Sequence, residues 1–228
     1  MKEAIPGREL RITSDGSHTF YVPSLDEHFH SVHGALNESM HVFIRHGYDQ
    51  VYPFQASLHI CEIGFGTGLN ALLTLKRSME TGCRVHYQGI EPHPLTREEL
   101  AQLNTATLLG GGSFTQAFSR MHGALPGQVV EIIPGFTFEL IRQPIQQVKL
   151  PHGAFHLVYF DAFGPQAQPE LWDESIFGPV YQAMTSQGVL TTYSAKGSVK
   201  RALKKCGFQL THPPGPAGKR EITMAVKI

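Results

Sequence analysis

Two stretches of this chain combine residue types and spacings that can do chemistry. In the first, Glu62-Ile-Gly64-Phe-Gly66-Thr-Gly68-Leu-Asn70, three alternating glycines join an apolar strand-like run to a helix-like one. Glycine lets the backbone turn sharply and approach a ligand closely, at the sheet edge where α/β folds bind their ligands. A dinucleotide fingerprint would need its third glycine where Leu69 stands, so a seated pyrophosphate is not expected. Glu91 ends the next strand-like run, twenty-three residues past Gly68, where a carboxylate can accept two hydrogen bonds from a ribose diol. The second stretch is Asp161-Ala-Phe163-Gly-Pro165-Gln-Ala-Gln-Pro169-Glu-Leu-Trp172, an acid at the tip of an apolar run followed by two stiffening prolines. Such a carboxylate can hydrogen-bond an amine, aim its lone pair and accept its proton. Phe163 and the single tryptophan, Trp172, offer flat faces to a base. A tryptophan at a helix start also serves as a core anchor, and the sequence leaves both roles open.

Both clusters need a sheet to hold them. The patterning predicts strands over residues 58–63, 84–91, 128–133, 136–141, 155–160 and 188–193. The run at 155–160 is nearly all apolar, as a strand covered on both faces must be. Helices are expected over 69–79, from Thr96 (capped with Glu99 three residues on), over 175–184, and over 198–206 before Gly207. Residues 110–128 read as a loop around a short helix, and 208–211 with 222–226 as a closing antiparallel hairpin. Strands alternating with helices specify an α/β fold, a mostly parallel sheet with helices on both faces. Residues 1–55, irregular and histidine-rich, read as an N-terminal extension packing on the active site, and 56–228 as one domain.

Composition narrows the class. Of 228 residues, 41% are hydrophobic and 17% charged, with nineteen basic residues balancing nineteen acidic ones. The apolar content excludes a disordered chain. No apolar run approaches the roughly 18 residues of a membrane helix, and the first residues lack a signal-peptide core. Cys61, Cys83 and Cys206 are odd in number and never paired as C-x-x-C, which speaks against a disulfide scaffold or thiolate zinc site and fits a cytoplasmic protein. His28-Phe-His30-Ser-Val-His33 lacks the i, i+4 spacing of a zinc helix, so no metal is expected. From Lys196 onward eight basic residues face one acid, Glu221. That asymmetry suits a nucleic-acid partner, and equally a solvated helix face.

The E-x-G-x-G-x-G loop resembles the first motif of S-adenosylmethionine-dependent methyltransferases. Several stretches sharpen the resemblance: Asp26-Glu-His-Phe-His-Ser31, Gly34-Ala-Leu-Asn-Glu-Ser39, His41-Val-Phe-Ile44, Asp161-Ala-Phe-Gly-Pro165 with Pro169-Glu-Leu-Trp172, and Gly215-Pro-Ala-Gly-Lys-Arg-Glu221. Together, from about Gly16 to Val226, they are similar to the methyltransferase module of tRNA 5-methylaminomethyl-2-thiouridine biosynthesis. That module occurs fused to an FAD-dependent oxidoreductase (MnmC) or alone (MnmD), and this chain is expected to encode no oxidoreductase. The resemblance implies a Rossmann-like class I methyltransferase fold. It also implies methyl transfer from S-adenosylmethionine to the primary amine of 5-aminomethyl-2-thiouridine at the tRNA wobble position. Glu62, Gly64, Gly66, Gly68 and Asn70 would line the cofactor, with Glu91 on its ribose and Gln143 or Gln146 near its adenine. Asp161 would face cofactor and amine. Ser31 and Glu38 would close the pocket, Glu38 as a second catalytic carboxylate, and Lys196, Lys219 and Arg220 would meet tRNA. The other readings are a small-amine methyltransferase or aminopropyl transferase, and a non-catalytic RNA-binding module.

Overall fold

The computed structural model describes residues 7–228. Eight strands form the central sheet: β4 (Ser57–Ile63), β5 (Arg84–Ile90), β6 (Val130–Ile133), β7 (Phe136–Ile141), β8 (Phe155–Phe160), β9 (Met184–Thr192), β10 (Phe208–Thr211) and β11 (Thr223–Lys227). Their order is β10-β11-β9-β8-β4-β5-β7-β6. The five inner strands run parallel. At the edges β6, β10 and β11 are antiparallel, and β10 with β11 makes the expected C-terminal hairpin. The apolar run of β8 lies between β4 and β9, buried on both faces, which is why it does not alternate.

Two apolar layers sandwich the sheet. On one side α3 (Leu69–Thr81) and α6 (Ser113–Gly123) pack Leu72, Leu75 and Met121 against Ile60, Tyr87 and Phe138. On the other, α7 (Glu174–Ala183) and α8 (Gly197–Lys205) set Phe177, Val180 and Leu203 against Val158, Phe160 and Leu190. Helix α3 starts after Gly68 and ends at Gly82, both left-handed. The four-residue α4 (Arg97–Leu100) carries the predicted Thr96–Glu99 capping box with both reciprocal bonds formed, and α5 (Thr105–Leu108) follows. The chain leaves β4 with β5 on one flank and β8 on the other. Strand order reverses there, and an open sheet leaves a crevice at that point.

The N-terminal part is more ordered than expected. Strands β1 (Glu9–Ile12), β2 (His18–Val22) and β3 (Glu27–His28) form a separate antiparallel sheet. It is followed by α1 (Ala35–Ser39), a π-helical stretch Met40–Tyr48, and α2 (Asp49–Val51). The strands are too short to show alternation. The π-helical stretch buries Val42, Phe43, Ile44 and Tyr48.

Candidate active site

A cavity of about 720 Å³ opens over the carboxyl ends of β4, β5 and β8. Its floor is the glycine loop. Gly64 has φ 91°, and a side chain there would strike the main-chain carbonyl of Asp161, so only glycine fits. Gly66 has φ 49°, and a Cβ would come within 2.9 Å of the Phe29 ring. That ring belongs to the N-terminal sheet region and forms part of the cavity wall. Glu91 leaves the end of β5 with its carboxylate fixed from two sides: Oε2 accepts the Gly66 N–H at 3.0 Å, Oε1 the His93 N–H at 2.9 Å. Each oxygen keeps a lone pair for a ligand in the cavity.

At the far end lies a network of acids. Asn70 Nδ2 donates to both Glu62 Oε1 and Asp161 Oδ2, each at 2.8 Å. Asn70 Oδ1 is buried without a partner among the described residues. Glu62 is fully buried and accepts the Tyr87 hydroxyl at 2.8 Å. Burial, joined by the charge of Asp161, pushes its carboxyl well above the usual range. Asp161 opens into the cavity. Burial, with the Glu38 charge acting the same way, raises it to about 7, against the Asn70 hydrogen bond and the Lys219 charge. Glu38 Oε2 accepts the Ser31 N–H at 2.9 Å, its Oε1 takes a short bond from Lys219, and that ammonium sits 4.0 Å from the centre of the Tyr193 ring. Three carboxylates and one ammonium thus share one end of the cavity and its wall.

The predicted site residues divide into three groups. Gly64, Gly66, Glu91, Asp161, Glu38, Ser31 and Phe163 line the cavity. Glu62, Gly68 and Asn70 stand behind its wall: Glu62 and Asn70 hold Asp161 from the rear, and a Cβ on Gly68 would meet Phe65 and His122. The remaining placements correct the expectations. Gln143 is exposed and outside the lining, because the chain turns at Pro144 and brings Gln146 and Gln147 to the cavity instead. Trp172 is a core residue, packed on Phe160, Phe177 and Tyr193, with its indole N–H donated to the Phe163 carbonyl at 2.8 Å. It holds the Asp161 loop and has no face free for a base. Lys219 points inward to Glu38 rather than outward to a phosphate. Lys196 and Arg220 are exposed along an adjoining groove of about 410 Å³ with Gly164 and Pro165. Part of the basic tail is internally paired, Lys200 with Glu221 and Lys205 with Glu174. Of the N-terminal histidines, His28 and His30 both border the cavity, His30 buried against Thr19 and Thr67 and His28 tilted against Tyr21, while His33 abuts Gly218. Arg8, Phe29, His93 and Tyr193 also line the cavity. Phe29 lies in the Asp26–Ser31 stretch with no role assigned to it, and the other three belong to none of the stretches that carry the resemblance.

Residues 135–228 match a family model described as S-adenosyl-L-methionine-dependent methyltransferase. The chain is also 32% identical, over 99% of its length, to a protein of Cupriavidus metallidurans named tRNA 5-methylaminomethyl-2-thiouridine biosynthesis bifunctional protein MnmC. A protein of the same name from Cupriavidus necator is 36% identical over 90% of the chain. The family match places residues 135–228 among the S-adenosylmethionine-dependent methyltransferases. The chain spans about a third of the length of those relatives, 34% and 32%. Among solved structures, MNMC2 from Aquifex aeolicus superimposes with a TM-score of 0.72 at 24% identity, over 98% of this chain and 71% of that one. Spermidine synthase from Thermotoga maritima does so with a TM-score of 0.53 at 14% identity, over 98% and 72%. These likenesses show a methyltransferase fold.

The cavity suits the family's cofactor. The glycine cradle excludes side chains, and Glu91 presents acceptors for a diol. The Lys219–Glu38 pair also makes a prediction. In Lys219→Met, Glu38 is left at 9% side-chain exposure without its cation, and truncating one partner of a buried pair costs about 3–5 kcal/mol, less where water reaches it. The variant is expected to melt several degrees lower. Its Asp161 should titrate at higher pH, because the ammonium that favours the ionised form is gone. An unchanged melting point and an unchanged acid limb of the rate profile would refute the pairing.

Proposed function

We propose that this methyltransferase acts on the primary amine of 5-aminomethyl-2-thiouridine at the wobble position of tRNA, giving 5-methylaminomethyl-2-thiouridine. The names of the relatives support the substrate. The observation that carries the reading is the acidic end of the cavity, where Asp161 and Glu38 offer acceptors to an amine beside the glycine loop. When bound, S-adenosylmethionine supplies a methyl group on a sulfonium, a carbon open to in-line attack. Asp161 accepts an N–H of the amine, turns the lone pair toward that carbon, and stabilises the positive charge that reaches the nitrogen as the new bond forms. Glu62 and Asn70 hold Asp161 in place without touching the substrate. Phe163, edge-on to Phe29 with ring centroids 5.2 Å apart, offers a flank to the uracil ring. Residues 7–55 serve as the cover of the site, and Lys196 and Arg220 along the adjoining groove meet phosphates near the modified nucleotide.

The test is mass spectrometry of wobble nucleosides. The pure protein is incubated with S-adenosylmethionine and tRNA carrying the aminomethyl nucleoside, with polyamines as a parallel acceptor. A gain of one methyl on that nucleoside supports the reading. Methylation of polyamines alone would transfer the function to a small-amine enzyme. Cofactor binding without methylation of either acceptor would overturn the assignment of both substrates.

A further inference from the structure

The cavity and the basic groove meet at three side chains, Glu27, Tyr193 and Lys219, which line both. Two of the three are already engaged. The Tyr193 hydroxyl donates to the Ala162 carbonyl at 2.8 Å, and the Lys219 ammonium bonds Glu38 and covers the Tyr193 ring. Glu27, on β3, is half-buried, and its carboxylate has no hydrogen-bond donor among the described residues. Its Oε1 lies against the Asp161 loop, where a Cβ on Gly164 would stand 2.8 Å from it. The preceding acid is spent elsewhere: Asp26 accepts the Tyr21 hydroxyl at 2.7 Å. Burial and the Asp26 charge raise the Glu27 carboxyl, and the charges of Lys196 and Lys219 oppose them. An ionised carboxylate only accepts hydrogen bonds, so this one calls for a donor from a ligand.

The order of groups along the site selects that donor. Asp161 and Glu38 line the cavity that takes the amine, Lys196 and Arg220 line the groove that takes phosphates, and Glu27 stands where the two spaces join. In an RNA chain the ribose connects the base to the phosphates. Its 3′ and 5′ oxygens are esterified, so the 2′-hydroxyl is the one donor it has. We infer that Glu27 is a substrate-binding residue whose carboxylate accepts the 2′-hydroxyl of the nucleotide being methylated. The contact selects a ribonucleotide, because the 2′-hydroxyl is the group by which a protein tells RNA from DNA at a given position. The role falls to a residue of the N-terminal sheet, outside the glycine loop and the Asp161 loop. The inference rests on the substrate reading above.

The probes are two full-length tRNAs, ligated from synthetic halves, that carry 5-aminomethyl-2-thiouridine with either a 2′-hydroxyl or a 2′-fluorine at that nucleotide. Fluorine keeps the ribose pucker and removes the donor. Binding to the protein loaded with S-adenosylhomocysteine is read by fluorescence anisotropy, without turnover. The parent is expected to bind the fluoro tRNA about tenfold more weakly, as the loss of one hydrogen bond to a charged acceptor requires. Glu27→Leu should bind the hydroxyl tRNA about tenfold more weakly than the parent does. It should distinguish the two tRNAs by less than about twofold, because the contact is already gone. Equal affinity of the parent for both tRNAs would overturn the inference, a result that stands even if the variant fails to fold. Losses that simply multiply in the variant would overturn it too, by placing the hydroxyl contact on another residue. A parent that takes up S-adenosylhomocysteine and binds neither tRNA would sink the substrate reading, and this inference with it.

Discussion

Asp161→Asn is expected to lower turnover at least about 100-fold, the low end for a positioned acid–base group, while leaving cofactor affinity within a few-fold. The amide keeps the shape of the carboxyl group. It cannot accept the charge that develops on the amine, and its NH₂ competes with the Asn70 NH₂ now donated to Asp161 Oδ2. The pH behaviour gives a second readout. The substrate amine must lose its proton before it can attack, so the rate rises with pH. Burial raises Asp161 to about 7, so its own deprotonation falls on the same limb, and the parent rate should climb steeply between about pH 6 and 8. The sign for stability is opposite. A carboxyl raised in the folded state holds its proton where the unfolded chain has lost it. Folding is therefore favoured below the unfolded value near 3.8, and that contribution is lost as pH rises through about 7. Without cofactor, Asp161→Asn should melt a few degrees above the parent at pH 8, and the gap should close toward pH 4. A variant that methylates at the parental rate would move the catalytic role to Glu38. One that melts below the parent at pH 8 would make Asp161 a structural residue.

Glu91→Ala is expected to cut affinity for S-adenosylmethionine and S-adenosylhomocysteine by at least about 100-fold. Hydrogen bonds to a charged acceptor are worth about 1.5–3 kcal/mol each, and the diol would lose two. The geometry adds a cost that a simple ligand contact would not have. Glu91 also fixes the Gly66 and His93 N–H groups, so its removal loosens the cradle at its centre. Some loss of melting temperature should accompany the loss of affinity, and Glu91→Gln should recover part of both by accepting one of the two N–H bonds. Titration calorimetry checks the first and thermal denaturation the second. Affinity unchanged in Glu91→Ala would detach the glycine loop from the cofactor.

By itself the sequence determined the parallel sheet, the glycine loop between β4 and α3, the acids ending β5 and following β8, and the C-terminal hairpin. Each is a local signal: an apolar run of strand length, glycines where φ must be positive, an acid where a buried run stops. It did not reveal the N-terminal sheet, because strands of two to five residues are too short to carry a clean period, nor that the helix over Met40–Tyr48 is π-bonded, which is set by backbone hydrogen bonding. Nor did it place the side chains that close the site. Lys219 reads as one more cation in a basic tail until the fold turns it onto Glu38, 181 residues away. Trp172 reads as either a stacking face or a core anchor until the core covers it, and Arg8 as a terminal charge until it meets Glu99, 91 residues on. The tertiary structure decided these, because whether a charge faces solvent, a partner or a cavity depends on which distant elements pack against it.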